Sequence, residues 1–116
     1  ARIKNDIGCA IGTSGPGFTN LITPIAVSWA DSIPMLYMVG NTATFRLDPL
    51  GTRGVGFQFT PTVPIVQHIT KYAVTVKTKE MIIPELEKCI RIAREGRRGP
   101  VLYDCPDDLQ RVDIDV

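Results

Sequence analysis

One glycine-rich turn carries the side chains best suited to binding a ligand. Residues 12–20 read GTSGPGFTN, with two glycines around a proline and hydroxyl or amide side chains on both sides. Glycine lets the backbone approach a ligand closely, because it has no Cβ. An apolar run precedes the turn and another follows it, which is typical of a strand, a tight corner and a helix start. Ligands of open α/β sheets bind at such strand ends.

The turn does not match the common phosphate-binding motifs. No Gly-Lys-Ser or Gly-Lys-Thr follows it, so it is not a P-loop. Gly15-x-Gly17 also lacks the third glycine of a dinucleotide fingerprint, because Asn20 stands there. On these residues alone, a ligand-binding turn and a turn without a ligand are equally favoured.

The other ionisable residues favour structural roles. His68 is the only histidine and has no Ser or Asp partner at a telling spacing, which favours a solvent-facing or capping position. Asp104, Asp107 and Asp108 follow an apolar run, where a polar strand exit and helix cap is favoured over a metal site. No catalytic triad or carboxylate pair can be assembled, so we assign no catalytic residue and no metal ligand.

A basic cluster ends the clearest helical pattern. For Arg94, Arg97 and Arg98, complementing the helix dipole is favoured over binding an anion. The three cysteines show no CxxC or CxH spacing, which argues against zinc. Their apolar surroundings predict buried, reduced thiols, and that predicts a cytoplasmic location.

Size and charge place the chain among ordinary globular domains. It has 116 residues, 44% of them hydrophobic, and a net charge of +1 from 13 basic and 12 acidic residues. Length predicts one domain, and the charge balance gives no sign of a nucleic-acid or anionic membrane partner. Proline and aspartate interrupt every apolar run well short of the roughly 20 residues that span a bilayer.

The elements that would position the turn alternate between strand and helix. The pattern predicts strands at 7–12, 34–40, 72–76 and 101–105, helices after residue 17 and at 64–69 and 83–93, and a long loop at 41–57. The first strand is apolar throughout, which predicts burial on both faces. Pro24 either kinks the first helix or marks its restart. The order predicts an α/β fold, a mostly parallel sheet with helices on both faces in three layers.

Several stretches together resemble one family, the thiamine-diphosphate-dependent enzymes of the acetolactate synthase type. The resemblance lies in SGPGFTN at 14–20, DSIP at 31–34, FQ at 57–58, ITK at 69–71, GRRGPV at 96–101 and DCPDD at 104–108. These segments occur in the family's order and span nearly the whole chain.

The resemblance implies a fold and an activity. Residues 1–112 would be part of the N-terminal, pyrimidine-binding domain, and residues 113–116 the start of a linker. The family's domain has a six-stranded parallel sheet and holds the aminopyrimidine ring of thiamine diphosphate at the interface of two subunits, and the full-length enzyme binds this cofactor with magnesium. Such enzymes decarboxylate a small 2-keto acid and pass the fragment on in a carboligation, and the cofactor supplies the electron sink. We therefore expect a homo-oligomeric parent enzyme.

Residue by residue, the resemblance transfers only part of a site. The positions that match cofactor-facing residues are Gly15, Pro16, Gly17, Asn20 and Gln58, and Arg97 matches an arginine that contacts FAD in flavin-bearing members. The family's essential glutamate falls upstream of Ala1, and its GDG…N magnesium motif belongs to another domain. We therefore expect this chain to be inactive alone. Without the first strands of its sheet, it should also have an unpaired edge at residues 7–11.

Two departures leave the substrate open. Phe59 stands where the family has a glutamate, and Asn41 replaces a glutamine. Relatives that act on other 2-keto acids, by carboligation or by decarboxylation, therefore fit as well as acetolactate synthase itself. Two further alternatives are a standalone interaction or regulatory module and a nucleotide-binding α/β domain.

Overall fold

A parallel sheet forms the centre of the structure. The computed structural model describes residues 1–47, 51–54 and 56–114. In them, four strands pair in parallel in the order β1-β2-β4-β3. The strands are β1 (Gly8–Gly12), β2 (Met35–Asn41), β3 (Tyr72–Thr75) and β4 (Pro100–Pro106). The four predicted strands are thus confirmed. Because they run parallel, their carboxyl ends all lie along the same border of the sheet, across the strands.

Helices cover both faces of this sheet. They are α1 (Pro16–Thr19), α2 (Ile22–Ala30), α3 (Thr62–Val66) and α4 (Ile82–Arg94). One core contains Phe18, Ile25, Tyr37, Val39, Val66 and Leu102, under α1, α2 and α3. The other contains Leu36, Val76, Ile82, Cys89, Ala93, Val101 and Tyr103, under α4. Two cores on opposite faces confirm the predicted three-layer α/β fold.

Pro24 marks a restart rather than a kink. Helix α1 ends at Thr19 and α2 begins at Ile22, so Pro24 lies in the first turn of α2. Backbone N–H groups there have no partner within the helix, so proline loses nothing. The Pro24 carbonyl accepts hydrogen bonds from Ser28 Oγ at 2.8 Å and from the Tyr37 hydroxyl at 2.9 Å. The bond from Tyr37 joins α2 to β2.

The short helix and the loop before it differ in detail from the prediction. Helix α3 occupies residues Thr62–Val66, two residues earlier than expected, and a 3-10 turn at Thr44–Arg46 interrupts the predicted loop. Residues 48–50 and 55 of that loop lie outside the described residues, as do residues 115 and 116 of the predicted linker. Helix α4 ends at Arg94, as the glycine after it predicts. Gly96 has a φ of 55°, a conformation that glycine adopts readily.

Strand β1 corrects the expectation of burial on both faces. Cys9 is exposed, and Ile11 is 78% exposed. The cause is non-local: α4 packs over β3 and β4, and no described element covers the same face of β1. Strand β1 pairs only with β2 among the described residues, so the expected open edge is present.

The cysteine prediction holds only in part, for the same reason. Cys89 is buried and Cys105 is half-buried, but Cys9 lies on the uncovered face of the edge strand. Burial raises the pKa of the Cys89 thiol to about 12, which keeps it protonated at neutral pH.

The described helices are short. Helix α4, with 13 residues, is the longest of them, and none reaches the length and hydropathy of a bilayer span.

The contrast between core and edge can be tested with one residue type. Ile25 is fully buried and Ile11 is largely exposed. Ile25→Ala should lower the free energy of unfolding by about 2–5 kcal/mol, because it leaves a cavity. The matched Ile11→Ala change should cost less than about 0.5 kcal/mol. Urea unfolding followed by circular dichroism measures the free energy of unfolding of both variants. Equal losses in the two would contradict the conclusion that no helix covers Ile11 on β1.

Candidate functional site

The glycine-rich turn connects the carboxyl end of β1 to α1. Gly15 is buried and has a φ of 59°, a conformation that side chains with a Cβ rarely adopt. Its carbonyl accepts a hydrogen bond from the Thr19 amide at 3.0 Å, which starts the short helix. The turn also needs glycine at Gly17, where a Cβ would come within 2.6 Å of Thr13 Cγ2.

Gln58 packs directly onto this turn. A Cβ built on Gly15 would lie 2.8 Å from the Cβ of Gln58 and 3.1 Å from its carbonyl oxygen. Gln58 itself has a φ of 57°, in the left-handed region that costs a non-glycine residue energy. The structure therefore brings together two of the sequence-predicted positions, and of the two only Gln58 has a strained backbone.

A groove opens beside the turn at the carboxyl ends of β1, β2 and β4. It has a volume of about 980 Å³. Its apolar walls include Ile11, Met38, Phe57, Ile83 and Leu86, and its polar groups include Thr13, Ser14, Thr42, Asp107 and Gln110. Apolar walls with a few polar groups are typical of small-molecule sites.

Gly40 keeps part of this groove open. A Cβ on Gly40 would lie 3.3 Å from Gln110 Nε2 and 3.8 Å from the Ser14 amide nitrogen. Gly40 therefore lies between an amide side chain and the first residues of the turn.

Asp104 corrects the prediction of a polar strand exit. It is fully buried, and its Oδ2 accepts hydrogen bonds from Asn41 Nδ2 at 2.8 Å, Thr62 Oγ1 at 2.5 Å and Thr75 Oγ1 at 3.1 Å. Burial raises the pKa of the Asp104 carboxyl above its ordinary value, although these three hydrogen bonds oppose the rise. Successive side chains of β4 point to opposite faces of the sheet. Tyr103 and Cys105 face α4, so the Asp104 carboxylate between them faces α3.

The other two acids of the predicted exit have separate partners. Asp107 pairs with Arg111 at 2.8 Å. Asp108 accepts hydrogen bonds from the Thr44 amide at 2.9 Å and from Thr44 Oγ1 at 2.6 Å, so it caps the 3-10 turn. Among the described His, Cys, Asp and Glu side chains, no group of three is placed to hold a metal ion.

Three other predicted positions lie around the turn. Pro16 begins α1 and is exposed, and Gly17 is half-buried behind it. Asn20 is exposed at the end of α1, where its backbone N–H donates to the Pro16 carbonyl at 3.1 Å. The turn, Asn20 and Gln58 thus lie at one edge of the sheet.

Arg97 and His68 lie elsewhere. Arg97 precedes β4, so it is at the opposite edge of the parallel sheet, where its Nε donates to Ser32 Oγ at 2.8 Å. Its neighbours Arg94 and Arg98 bind Asp6 and Asn5 at 2.8 and 2.9 Å. His68 is exposed after α3, as predicted.

Sequence reasoning missed the partners of Asp104. Asn41, Thr62 and Thr75 are polar residues at the end of β2, the start of α3 and the end of β3. One signal was available: Asn41 directly follows one largely apolar strand pattern, and Thr75 lies near the end of another. Thr62, two residues after Thr60 in the TPTVP segment, offered none.

Comparisons with known proteins identify relatives along the whole chain. The sequence model of the family described as "Thiamine pyrophosphate enzyme, N-terminal TPP binding domain" matches residues 1–62. The mitochondrial acetolactate synthase catalytic subunit of Saccharomyces cerevisiae is 39% identical over 109 residues, which cover 94% of this chain and 15% of the yeast protein.

Two prokaryotic relatives match to a similar extent. A probable acetolactate synthase large subunit of Methanocaldococcus jannaschii is 35% identical over 116 residues, 100% of this chain and 19% of that protein. The acetolactate synthase isozyme 3 large subunit of Escherichia coli is 38% identical over 109 residues, 94% of this chain and 18% of that protein. The chain thus spans less than a fifth of the length of these relatives.

The contact between Gly15 and Gln58 can be tested against a second left-handed glycine. Gly96 has a φ of 55° but nothing within 4 Å of its would-be Cβ, so Gly96→Ala should cost only backbone strain, about 1–2 kcal/mol. Gly15→Ala should cost about 1–3 kcal/mol more, because the new Cβ collides with Gln58. Urea unfolding of both variants measures the difference, and similar costs would mean that Gln58 does not pack on the turn.

Proposed function

The chain belongs to the family of thiamine pyrophosphate enzyme N-terminal TPP-binding domains, and from this we propose that it forms the pyrimidine-binding part of an enzyme that acts on a 2-keto acid with thiamine diphosphate. The observation that carries the proposal is the contact of Gln58 with the buried Gly15 turn beside the groove. Both residues match cofactor-facing positions of the family.

The residues present fit an aminopyrimidine ring. The ring is flat and apolar on its faces and has hydrogen-bonding groups at its edge, and the groove pairs apolar walls with Ser14, Thr42 and Gln110. Thr42 Oγ1 is buried without a hydrogen-bond partner among the described residues, so a donor or acceptor is still available beside the groove.

The chain's own residues would bind and orient the cofactor. The turn at Gly15, Pro16 and Gly17 would let the backbone approach the ring, and Asn20 and Gln58 would border the site. Side chains such as Ile11 and Phe57 would exclude water from it. When bound, thiamine diphosphate supplies the electron sink for decarboxylation of the keto acid.

We assign the remaining catalytic groups to sequence beyond this chain. They are the glutamate that protonates the pyrimidine and the residues that hold magnesium and the diphosphate. On this proposal the 116-residue chain is inactive alone.

A flavin contact at Arg97 is a separate part of the proposal. Arg97, Arg98, Lys71 and Trp29 border a cavity of about 420 Å³, which offers positive charge and an aromatic wall. This surface suits the phosphates or the ring system of FAD in a parent enzyme that carries one.

Acetolactate-synthase-like carboligation is the reaction that the relatives' names support best, and decarboxylation alone is the second candidate. The comparisons lend no support to a standalone module or to a nucleotide-binding domain. A cytoplasmic location stays a prediction from cysteine usage.

The proposal predicts weak but localised cofactor binding by this chain. Titration of ¹⁵N-labelled protein with thiamine diphosphate and Mg²⁺ should shift the amide signals of residues 12–20 and 58, with an affinity no tighter than about millimolar. The affinity should be low because the partners of the diphosphate lie elsewhere. Gln58→Ala should weaken the binding severalfold.

Gln67→Ala is the matched control, since Gln67 is also exposed but ends α3. It should leave the titration unchanged. Micromolar binding by this chain would contradict the proposal that the groups holding magnesium and the diphosphate lie outside it. Shifts caused by ATP but not by thiamine diphosphate would favour the nucleotide-binding alternative.

We also propose that the chain self-associates through the open edge of β1. The Gly8 amide donates to the Pro34 carbonyl at 3.0 Å, and alternate residues of a parallel strand bond to the same neighbour, so the backbone groups of Cys9 and Ile11 point to the free edge. Such edges pair with other chains. Ile11→Lys should therefore shift the chain toward monomer in size-exclusion chromatography with light scattering. Ile65→Lys, an exposed position on α3, is the control, and a wild-type monomer would overturn the proposal.

A further inference from the structure

Three separate segments converge on one buried carboxylate behind the proposed site. Asp104 on β4 is fully buried, and a single oxygen, Oδ2, accepts hydrogen bonds from Asn41, Thr62 and Thr75. These residues belong to the end of β2, the start of α3 and the end of β3. The carboxylate therefore fixes the positions of all three relative to β4.

Asn41 connects Asp104 by hydrogen bonds to the segment that contains Gln58. Its Nδ2 donates both to Asp104 and to the Thr60 carbonyl, at 2.8 and 3.2 Å. Its Oδ1 accepts a hydrogen bond from the Thr42 amide at 2.9 Å. The amide group cannot rotate without breaking a hydrogen bond, so its orientation is determined.

Residues 60 and 62 are thus held by the same network, one through Asn41 and the other directly. Gln58 lies two residues before Thr60, has a φ of 57° and contacts Gly15. A strained backbone of this kind persists only where its surroundings hold it. The hydrogen bonds at 60 and 62 are the anchors nearest to it that lead into the sheet.

We propose that Asp104 is a positioning residue, which acts through Asn41 and Thr62 to hold Gln58 over the Gly15 turn. Its importance for cofactor binding rests on the proposed function, but the positioning itself does not. An ionised carboxylate suits this role because its oxygens accept hydrogen bonds and donate none, which matches the three donors at Oδ2.

The chain offers a matched control for Asp104. Asp108 is also an acid at the carboxyl end of β4, and it binds the amide and hydroxyl of Thr44. It holds the 3-10 turn at residues 44–46. Asp108→Asn should therefore loosen that turn and leave Gln58 in place.

Hydrogen exchange measured by mass spectrometry tests the proposal on the 116-residue chain without cofactor. In Asp104→Asn, peptides covering residues 56–66 should exchange at least about tenfold faster, because a charge-assisted hydrogen bond is lost. Peptides from α4 should keep their protection. The nuclear Overhauser contact between Gly15 and the Gln58 side chain should disappear in Asp104→Asn and persist in Asp108→Asn.

Thr62→Val provides a second variant of nearly unchanged shape, which removes one donor to Asp104. It should also speed exchange over residues 56–66, and it decides the question if Asp104→Asn does not fold. Unchanged exchange and a retained Gly15–Gln58 contact in the folded variants would overturn the proposal. Because no cofactor is present, this result is independent of whether thiamine diphosphate binds.

Discussion

The hydrogen bonds to Asp104 are the interaction on which the site edge of the sheet depends. Burying a carboxylate is costly, and its pKa rises accordingly. The structure offsets this cost by directing three donors from three elements to one oxygen. Because each donor comes from a different segment, the network forms only when β2, β3, β4 and α3 are all in place. The end of the sheet is therefore ordered as a unit.

This arrangement explains why the two faces of the sheet differ at that edge. On the α3 side, the Asp104 network fills the space between strands and leaves Thr62 and Asn41 buried. On the α4 side, the helix covers β3 and β4 but not β1, so the groove stays open above Met38 and Gly40. One side is a buried hydrogen-bond network, and the other is a cavity with apolar walls. Thr13 and Ser14 of the Gly15 turn line this cavity.

Much of the fold could be predicted from the sequence, because local patterns decide it. The apolar run of β2, the alternation of β3 and the helical spacing of α4 each identify their element without outside information. Strand β1 shows where such reasoning fails. Its residues read as buried on both faces, but burial depends on which helix covers them, and that is decided by the packing of α4 some 70 residues later in the chain.

The candidate site divides in the same way. The Gly15 turn could be recognised because a sharp strand-to-helix corner needs glycine, and that need is local. Its contact with Gln58 could be anticipated only through family resemblance, since the loop between them has no periodic pattern. The Asp104 network could not be anticipated at all, because its members are ordinary polar residues spread over four segments. A buried acid at a strand end looks like an exposed one in sequence, since donors from other elements make the difference. Polar residues that end apolar strands therefore warrant two interpretations, as solvent-facing exits or as buried anchors, until the packing around them is known.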